Sequence, residues 1–271
     1  MSFLHTMFQI FDTSMTKPTL FGTFHLVSLA LTVALTVILS LVYKNRHEKV
    51  RIMVLVITII VILFEIYKQL NYTFQPENGF VADYQWYAFP FQFCSTPMYI
   101  GLLAGLTKKG RVHRAACAYL ATFAVFAGLC VMIYPGDVFI DTVGINIQTM
   151  ICHGTMIAVG VSLLATGYVK LEHKTILRAI PVFAICLGLA MILNEWAFTS
   201  PVVGGEAFNM FYISPHFTGT LPIYSEVQKI VPYPWNLVIY IAGFSLAAYV
   251  ILLIAMGVNK LTKLGKKKVT V

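Results

Sequence analysis

The sequence predicts an all-α polytopic membrane protein of seven transmembrane helices. Three observations predict it. The 271 residues are 58% hydrophobic and 11% charged, with mean hydropathy +0.79, whereas a soluble domain carries about 25% charge. Apolar runs of about 20 residues, the length that crosses the hydrocarbon core, recur seven times. The basic residues gather in alternate loops between those runs.

The elements follow in order. The N-terminal stretch has neither a basic n-region nor a small-residue cleavage site, so it reads as retained rather than as a signal peptide. Its Phe3, Leu4, Phe8, Ile10 and Phe11 suit an interfacial position. The spans are expected at 21–43, 52–71, 87–106, 115–134, 143–169, 176–197 and 235–258. No linker or low-complexity tract divides the chain, so residues 1–271 read as a single domain. Lys44, Arg46, Lys49 and Arg51 occupy one loop and Lys108, Lys109, Arg111 and Arg114 the next but one. Lys170, Lys174 and Arg178 follow, and the tail holds Lys260, Lys263, Lys266, Lys267 and Lys268. The alternate loops carry Glu77, Asp83, Asp137, Asp141, Glu206 and Glu226 against Lys229. The positive-inside rule then puts the N-terminus out and the C-terminus in. The net charge of +8 is on this reading a topology device, and no basic face suits nucleic acid. The Lys-rich tail also suits anionic lipid heads.

Polar residues converge on the outer halves of the spans. His153 lies about ten residues into the fifth span, roughly 15 Å deep at 1.5 Å per residue. An ionisable group there costs roughly 2.5 kcal/mol or more when charged, and marks a bundle interior or wet cavity. Glu65, Lys68 and Gln69 share one face of the second span by their three- and four-residue spacing. Gln92 and Cys94 enter the third span, with Cys94 about 12 Å deep. Asn194 and Glu195 end the sixth span, and His25 begins the first. The expectation is an outward-facing polar cavity. Each residue also has a plainer reading. His153 and Asn194 serve as interhelical hydrogen-bonding groups. Glu65 and Lys68 form an internal ion pair, or Lys68 snorkels to the interface. His25 is close enough to the interface to be merely wet.

All five cysteines, Cys94, Cys117, Cys130, Cys152 and Cys186, fall in spans, which is not a disulfide framework. Cys152 adjoins His153, but successive helical positions point about 100° apart, so the two are not expected on one face. Cys94 is placed instead at nearly the depth of His153. A thiol near an imidazole is drawn toward the reactive thiolate. No metal motif is present, since no span pairs His or carboxylates at ligand spacing, and no cofactor is expected. The long outer loop 199–234 is rich in aromatics, with Gly204, Gly205, Pro215, Pro222, Pro232 and Pro234. It reads as a lid folded over the cavity, or as an interfacial anchor through Phe208, Phe211, Tyr212 and Phe217.

The order of "WYAFPFQFCSTPMYIGL", "CHGTM", "LNEWAFTSPVVGGEAFNMFYISP" and "YPWNLVIY" resembles the YwaF family of bacterial integral membrane proteins. Its eukaryotic relative is transmembrane protein 164, a lipid acyltransferase. The resemblance covers nearly the whole chain. It implies a multi-pass protein of the bacterial cytoplasmic membrane, with Cys94 as the nucleophile that carries an acyl group and His153 as its partner. The family often has histidine two residues before that cysteine, where this chain has Gln92, so His153, and after it His25, becomes the expected base.

Two functions are expected from these residues. The first is a cysteine-dependent phospholipid acyltransferase or lipid thioester enzyme of the membrane. Cys94 and His153 are its catalytic pair, His25, Glu65 and Lys68 support the site, and Gln92 or Asn194 donates to the oxyanion. Its partners are membrane phospholipids. The alternative is a transporter or small-molecule binder in which Glu65, Lys68, His153 and Glu195 handle a proton or zwitterion. A seven-span sensor is weaker still, because the inner loops are too short to dock a partner.

Overall fold

The computed structural model describes residues 13–74 and 81–269, with side chains as far as Lys263. The N-terminal Phe3, Leu4, Phe8, Ile10 and Phe11, Glu77, and the side chains of Lys266, Lys267 and Lys268 lie outside the described residues. The described residues are helical, joined by turns and one isolated bridge that pairs Ser14 with Thr142. In chain order the helices are α1 (Thr23–Tyr43), α2 (His47–Thr73), α3 (Thr96–Leu106), α4 (Arg111–Ile133), α5 (Val143–Ala165), α6 (Lys174–Thr199), α7 (Tyr224–Ile230) and α8 (Trp235–Val269). Six of these, α1, α2, α4, α5, α6 and α8, are long and apolar enough to cross a membrane. Their outward faces carry exposed Leu31, Leu41, Leu63, Ile192 and Leu246, as lipid contact requires.

The third expected span, 87–106, is not one long helix. Its helical part, α3, has 11 residues, about 16 Å at 1.5 Å per residue. The prolines account for the difference. Pro90 pushes Phe89 into extended backbone, with ψ at 133°. Pro97 belongs in the first turn of a helix, so α3 starts only at Thr96. Between them the chain makes a 3-10 turn at Trp86–Ala88 and an irregular stretch to Ser95. Cys94 therefore sits in a turn immediately before α3, where Ser95 and Thr96 donate to the Gln92 carbonyl at 2.8 and 3.1 Å. It is not eight residues inside a helix.

The core is aromatic. Phe183 of α6 is fully buried. It stacks on Phe123 of α4 with centroids 4.6 Å apart, lies nearly parallel to Tyr240 and Phe244 of α8, and meets Phe93 edge-on at 5.4 Å. A π-helical turn at Leu120–Ala124 interrupts α4 and sets Phe123 into this column. Where helices cross, small residues allow close approach. Gly154 of α5 faces Thr32 of α1, and Gly101 of α3 faces Thr58 of α2.

Loop 199–234 packs back onto this core. Phe208 and Phe211 are buried to within 1% of full exclusion, so neither is an interfacial anchor. Residues 209–211 are held through their backbone. Asn194 of α6 receives the Met210 amide at 2.7 Å and donates to the Met210 carbonyl at 3.1 Å. Gln92 receives the Phe211 amide at 2.8 Å and donates to the Asn209 carbonyl at 3.0 Å. The Tyr240 hydroxyl donates to the Phe211 carbonyl at 3.0 Å. Phe211 and Tyr212 both hold left-handed backbone, φ 59° and 58°, a conformation of order 1–3 kcal/mol uphill that needs such clamping.

Two outcomes follow for stability. A Cβ on Gly128 of α4 would lie 2.7 Å from the His153 backbone oxygen. Gly128→Ala should force α4 and α5 apart and cost about 1–3 kcal/mol, read as a lower Tm in detergent. Asn194→Leu strands two buried backbone groups of Met210 and should cost about 2–5 kcal/mol. Limited proteolysis should then cut within 199–234 far faster than in the unsubstituted protein.

Candidate functional site

A cavity of about 410 Å³ lies between α2, α5, the turn before α3 and the tip of loop 199–234. That volume is in the range of small-ligand pockets. Val54, Ile57, Thr58, Val61, Glu65, Lys68 and Tyr72 line it from α2. Their three- and four-residue steps make one face of a helix. Ile145, Gln148, Thr149, Cys152, Met156 and Val159 form the facing stripe of α5, joined by His153. Cys94, Ser95 and Gln92 come from the irregular segment, Leu120 from the π turn of α4, and Tyr212 from the loop.

The lining is layered. Glu65, Lys68, Tyr72, Tyr87 and Asp137 occupy one end, and Val54, Leu120, Met156 and Val159 the other. Glu65 and Val54 are separated by 11 residues of α2, about 16 Å along its axis. The cavity thus has a polar mouth and an apolar floor.

Glu65 organises the mouth. Its carboxylate, buried to 6% exposure, accepts from Lys68 at 2.7 Å and Gln69 at 2.8 Å on one oxygen and from Gln148 at 3.2 Å on the other. Gln69 donates in turn to the Ala88 carbonyl and accepts from the Tyr84 hydroxyl, both at 2.8 Å. One carboxylate therefore links α2, the 84–88 segment and α5. Burial, and then the charge of Glu65, raise the Tyr84 phenol above its usual pKa, so it stays a donor at neutral pH. Lys68 is 17% exposed and within electrostatic reach of both Cys94 and His153.

His153 is buried, and its two nitrogens differ. Nδ1 lies 2.7 Å from the Thr149 carbonyl oxygen. A carbonyl only accepts, so Nδ1 carries the proton and the neutral ring keeps its lone pair on Nε2. Nε2 is buried with no hydrogen-bond partner. Consequently the Cys94 thiol and the His153 ring share the cavity without a direct hydrogen bond.

Of the expected site residues, the cavity brings together Cys94, His153, Glu65, Lys68 and Gln92. Two lie elsewhere. His25, with no exposure, joins α1 to the end of α4: Nε2 donates to the Met132 carbonyl at 2.8 Å and Nδ1 accepts the Phe21 amide at 2.9 Å. No ring nitrogen is left to act as a base. Asn194 is spent on Met210 and does not line the cavity. The expected plain ion pair of Glu65 and Lys68 is present. Glu195, at the exposed end of α6, is 3.1 Å from His216.

Among the lining residues that the sequence-based site did not include, three stand out. Gln148 is the α5 partner of Glu65, and its position five residues before His153 was the available signal. Cys152 lines the cavity beside His153 because the hollow wraps more than one face of α5, and its sulfur lies 3.3 Å from the Gln148 amide nitrogen. Tyr212 has no local sequence signal, since a long loop delivers it. Among the described residues no three His, Cys, Asp or Glu side chains gather at metal-binding distance.

Comparison with known proteins gives one positive finding. No curated protein and no solved structure matches the chain. The model of the TMEM164 family matches residues 20–258, which takes in all six long helices' apolar cores, the cavity and loop 199–234. The chain is a multi-pass membrane protein of the TMEM164 family.

Proposed function

We propose that the protein is a membrane lipid acyltransferase that uses Cys94 as nucleophile and His153 as base. The observation that carries this reading is a buried, unpartnered His153 Nε2 in the same cavity as the Cys94 thiol. A buried polar atom without a partner calls for an explanation, and a lone pair waiting for a proton supplies one.

The chemistry uses this chain's own groups. A phospholipid places its headgroup at the Glu65–Lys68 mouth and an acyl chain along Val54, Met156 and Val159. Cys94 gives its proton to His153 Nε2, and the sulfur attacks the ester carbonyl. The carbon–sulfur bond forms, the ester carbon–oxygen bond breaks, and His153 returns the proton to the departing lyso-lipid oxygen. An acceptor hydroxyl then attacks the thioester, passes its proton to His153, and the thiolate leaves. Lys68 has two N–H groups beyond the one on Glu65, available to headgroup phosphate or to the oxyanion. In this scheme the missing thiol–imidazole bond forms when substrate fills the cavity, as resting catalytic pairs often tighten only on binding.

The same reading places the polar mouth in the outer leaflet, with the N-terminus out and the C-terminus in. Residues 86–106, part irregular and part α3, make the remaining crossing among seven. Loop 199–234 is the lid, contributing Tyr212.

Full-length protein in lipid nanodiscs, given a phospholipid with an alkyne-tagged acyl chain, should acquire a hydroxylamine-sensitive label at Cys94. Cys94→Ala should abolish the label, and Cys152→Ala should retain it. His153→Gln should slow labelling by about 10²–10⁴-fold while the Tm stays close to that of the parent. Undiminished labelling of Cys94→Ala would overturn the proposal.

A further inference from the structure

A second hollow, about 590 Å³, opens at the opposite end of the bundle. His47, which lines it, and Lys68 at the first cavity are 21 residues apart on α2, about 30 Å along the axis. The second hollow is therefore separate from the proposed chemistry. It is walled by the start of α2, the α3–α4 turn, the first turns of α4, the 167–170 connection and the first turns of α6.

Its charge is one-sided. Lys109, Arg114, Lys170 and Arg178 line it together with His47 and His113, and no lining residue is Asp or Glu. Arg51 adds to the field at His113 and Tyr168. Arg178 is held by Glu172 at 2.9 Å. Lys109, Arg114 and Lys170 make no ion pair among the described residues and are exposed.

The frame beneath these cations is built. His113, 3% exposed, donates from Nδ1 to the Ala104 carbonyl at 2.9 Å and meets the Tyr168 hydroxyl at 2.7 Å through Nε2. His47 donates to the Thr166 carbonyl at 2.9 Å, and Thr175 donates to the Lys170 carbonyl at 2.6 Å. Tyr168 packs edge-on against both imidazoles. These bonds tie five chain segments together, so the cations stand around a fixed concavity rather than on loose loops.

We propose that this hollow binds a phosphate group, carried by an anionic phospholipid headgroup or free in solution. Three unpaired like charges around one concavity repel one another, and a phosphate relieves that repulsion while accepting from the Arg114 fork. Basic pockets between helix ends at the membrane face have this chemistry.

The test uses full-length protein in neutral detergent at low salt, with Tm followed on titration. Phosphatidylglycerol, phosphatidylcholine and inorganic phosphate are added separately. Phosphatidylglycerol, inorganic phosphate or both should raise the Tm saturably, and phosphatidylcholine should not. A response to the lipid alone assigns a headgroup, and a response to phosphate assigns a soluble anion. Lys109→Gln/Arg114→Gln/Lys170→Gln should weaken the response about tenfold or more. Lys17→Gln/Lys44→Gln/Lys229→Gln, which removes equal charge at exposed positions lining neither hollow, should leave it unchanged. Lys109→Gln and Lys170→Gln, each at an exposed position, give the same reading singly should the triple variant misfold. No saturable response from either anion, or equal loss in both triple variants, overturns the proposal.

Discussion

Inside an apolar bundle every backbone amide and carbonyl must find a partner, and helices do this by themselves. The stretches Trp86–Ser95 and Asn209–Ser214 are not α-helical, so side chains must do it for them. Gln69, Gln92, Asn194 and Tyr240 bond the backbone of Ala88, Asn209, Met210 and Phe211. Asn209 closes its own loop by accepting the Ser214 amide at 2.9 Å. An unmet group of this kind costs several kcal/mol in hydrocarbon, whereas each bond contributes about 1 kcal/mol net. The carboxamides therefore act mainly by removing penalties. What they permit is a cavity wall that a continuous helix could not make, with Cys94 on one turn and Tyr212 on another.

The charged pair obeys a related economy. Taking Glu65 and Lys68 out of water costs several kcal/mol per ion, recovered only where geometry and extra hydrogen bonds are good. Glu65 has those bonds from Lys68, Gln69 and Gln148. The pair stands where the stripe of α2 passes from apolar to polar, so the same side chains that fix α5 against α2 also divide the cavity into mouth and floor. On the proposed reading this division is what a phospholipid, amphipathic along its length, would match.

The parts of this arrangement differ in how far periodicity reveals them. The long helices and the α2 face holding Glu65, Lys68 and Gln69 were legible, because helical spacing and hydropathy are local. That the third span is only partly helical was not legible, because total hydropathy outweighs Pro90 and Pro97, whose effect is on backbone geometry. Gln92 and Asn194 were legible as polar groups at the right depth, but not as latches, since their partners are backbone groups 119 and 16 positions away respectively. The aromatic loop was legible as packed, and Phe208 and Phe211 turned out to be core because the loop bends inward at two left-handed residues. That bend has no signal in a Phe-Tyr pair.

Two buried histidines show why depth alone was a blunt guide. His25 and His153 lie in different helices, are both shielded from solvent and each donates to a carbonyl. His25 uses its second nitrogen to receive the Phe21 amide, which completes its hydrogen bonding and makes it a strut between α1 and α4. His153 spends one nitrogen on Thr149, and this bond fixes both the tautomer and the ring's orientation. The other nitrogen keeps a lone pair inside a cavity that also holds a thiol. Desolvation without a partner is a standing cost of about 1–3 kcal/mol for such an atom. On the proposed reading that open nitrogen is the one that receives the Cys94 proton, which gives the cost a function.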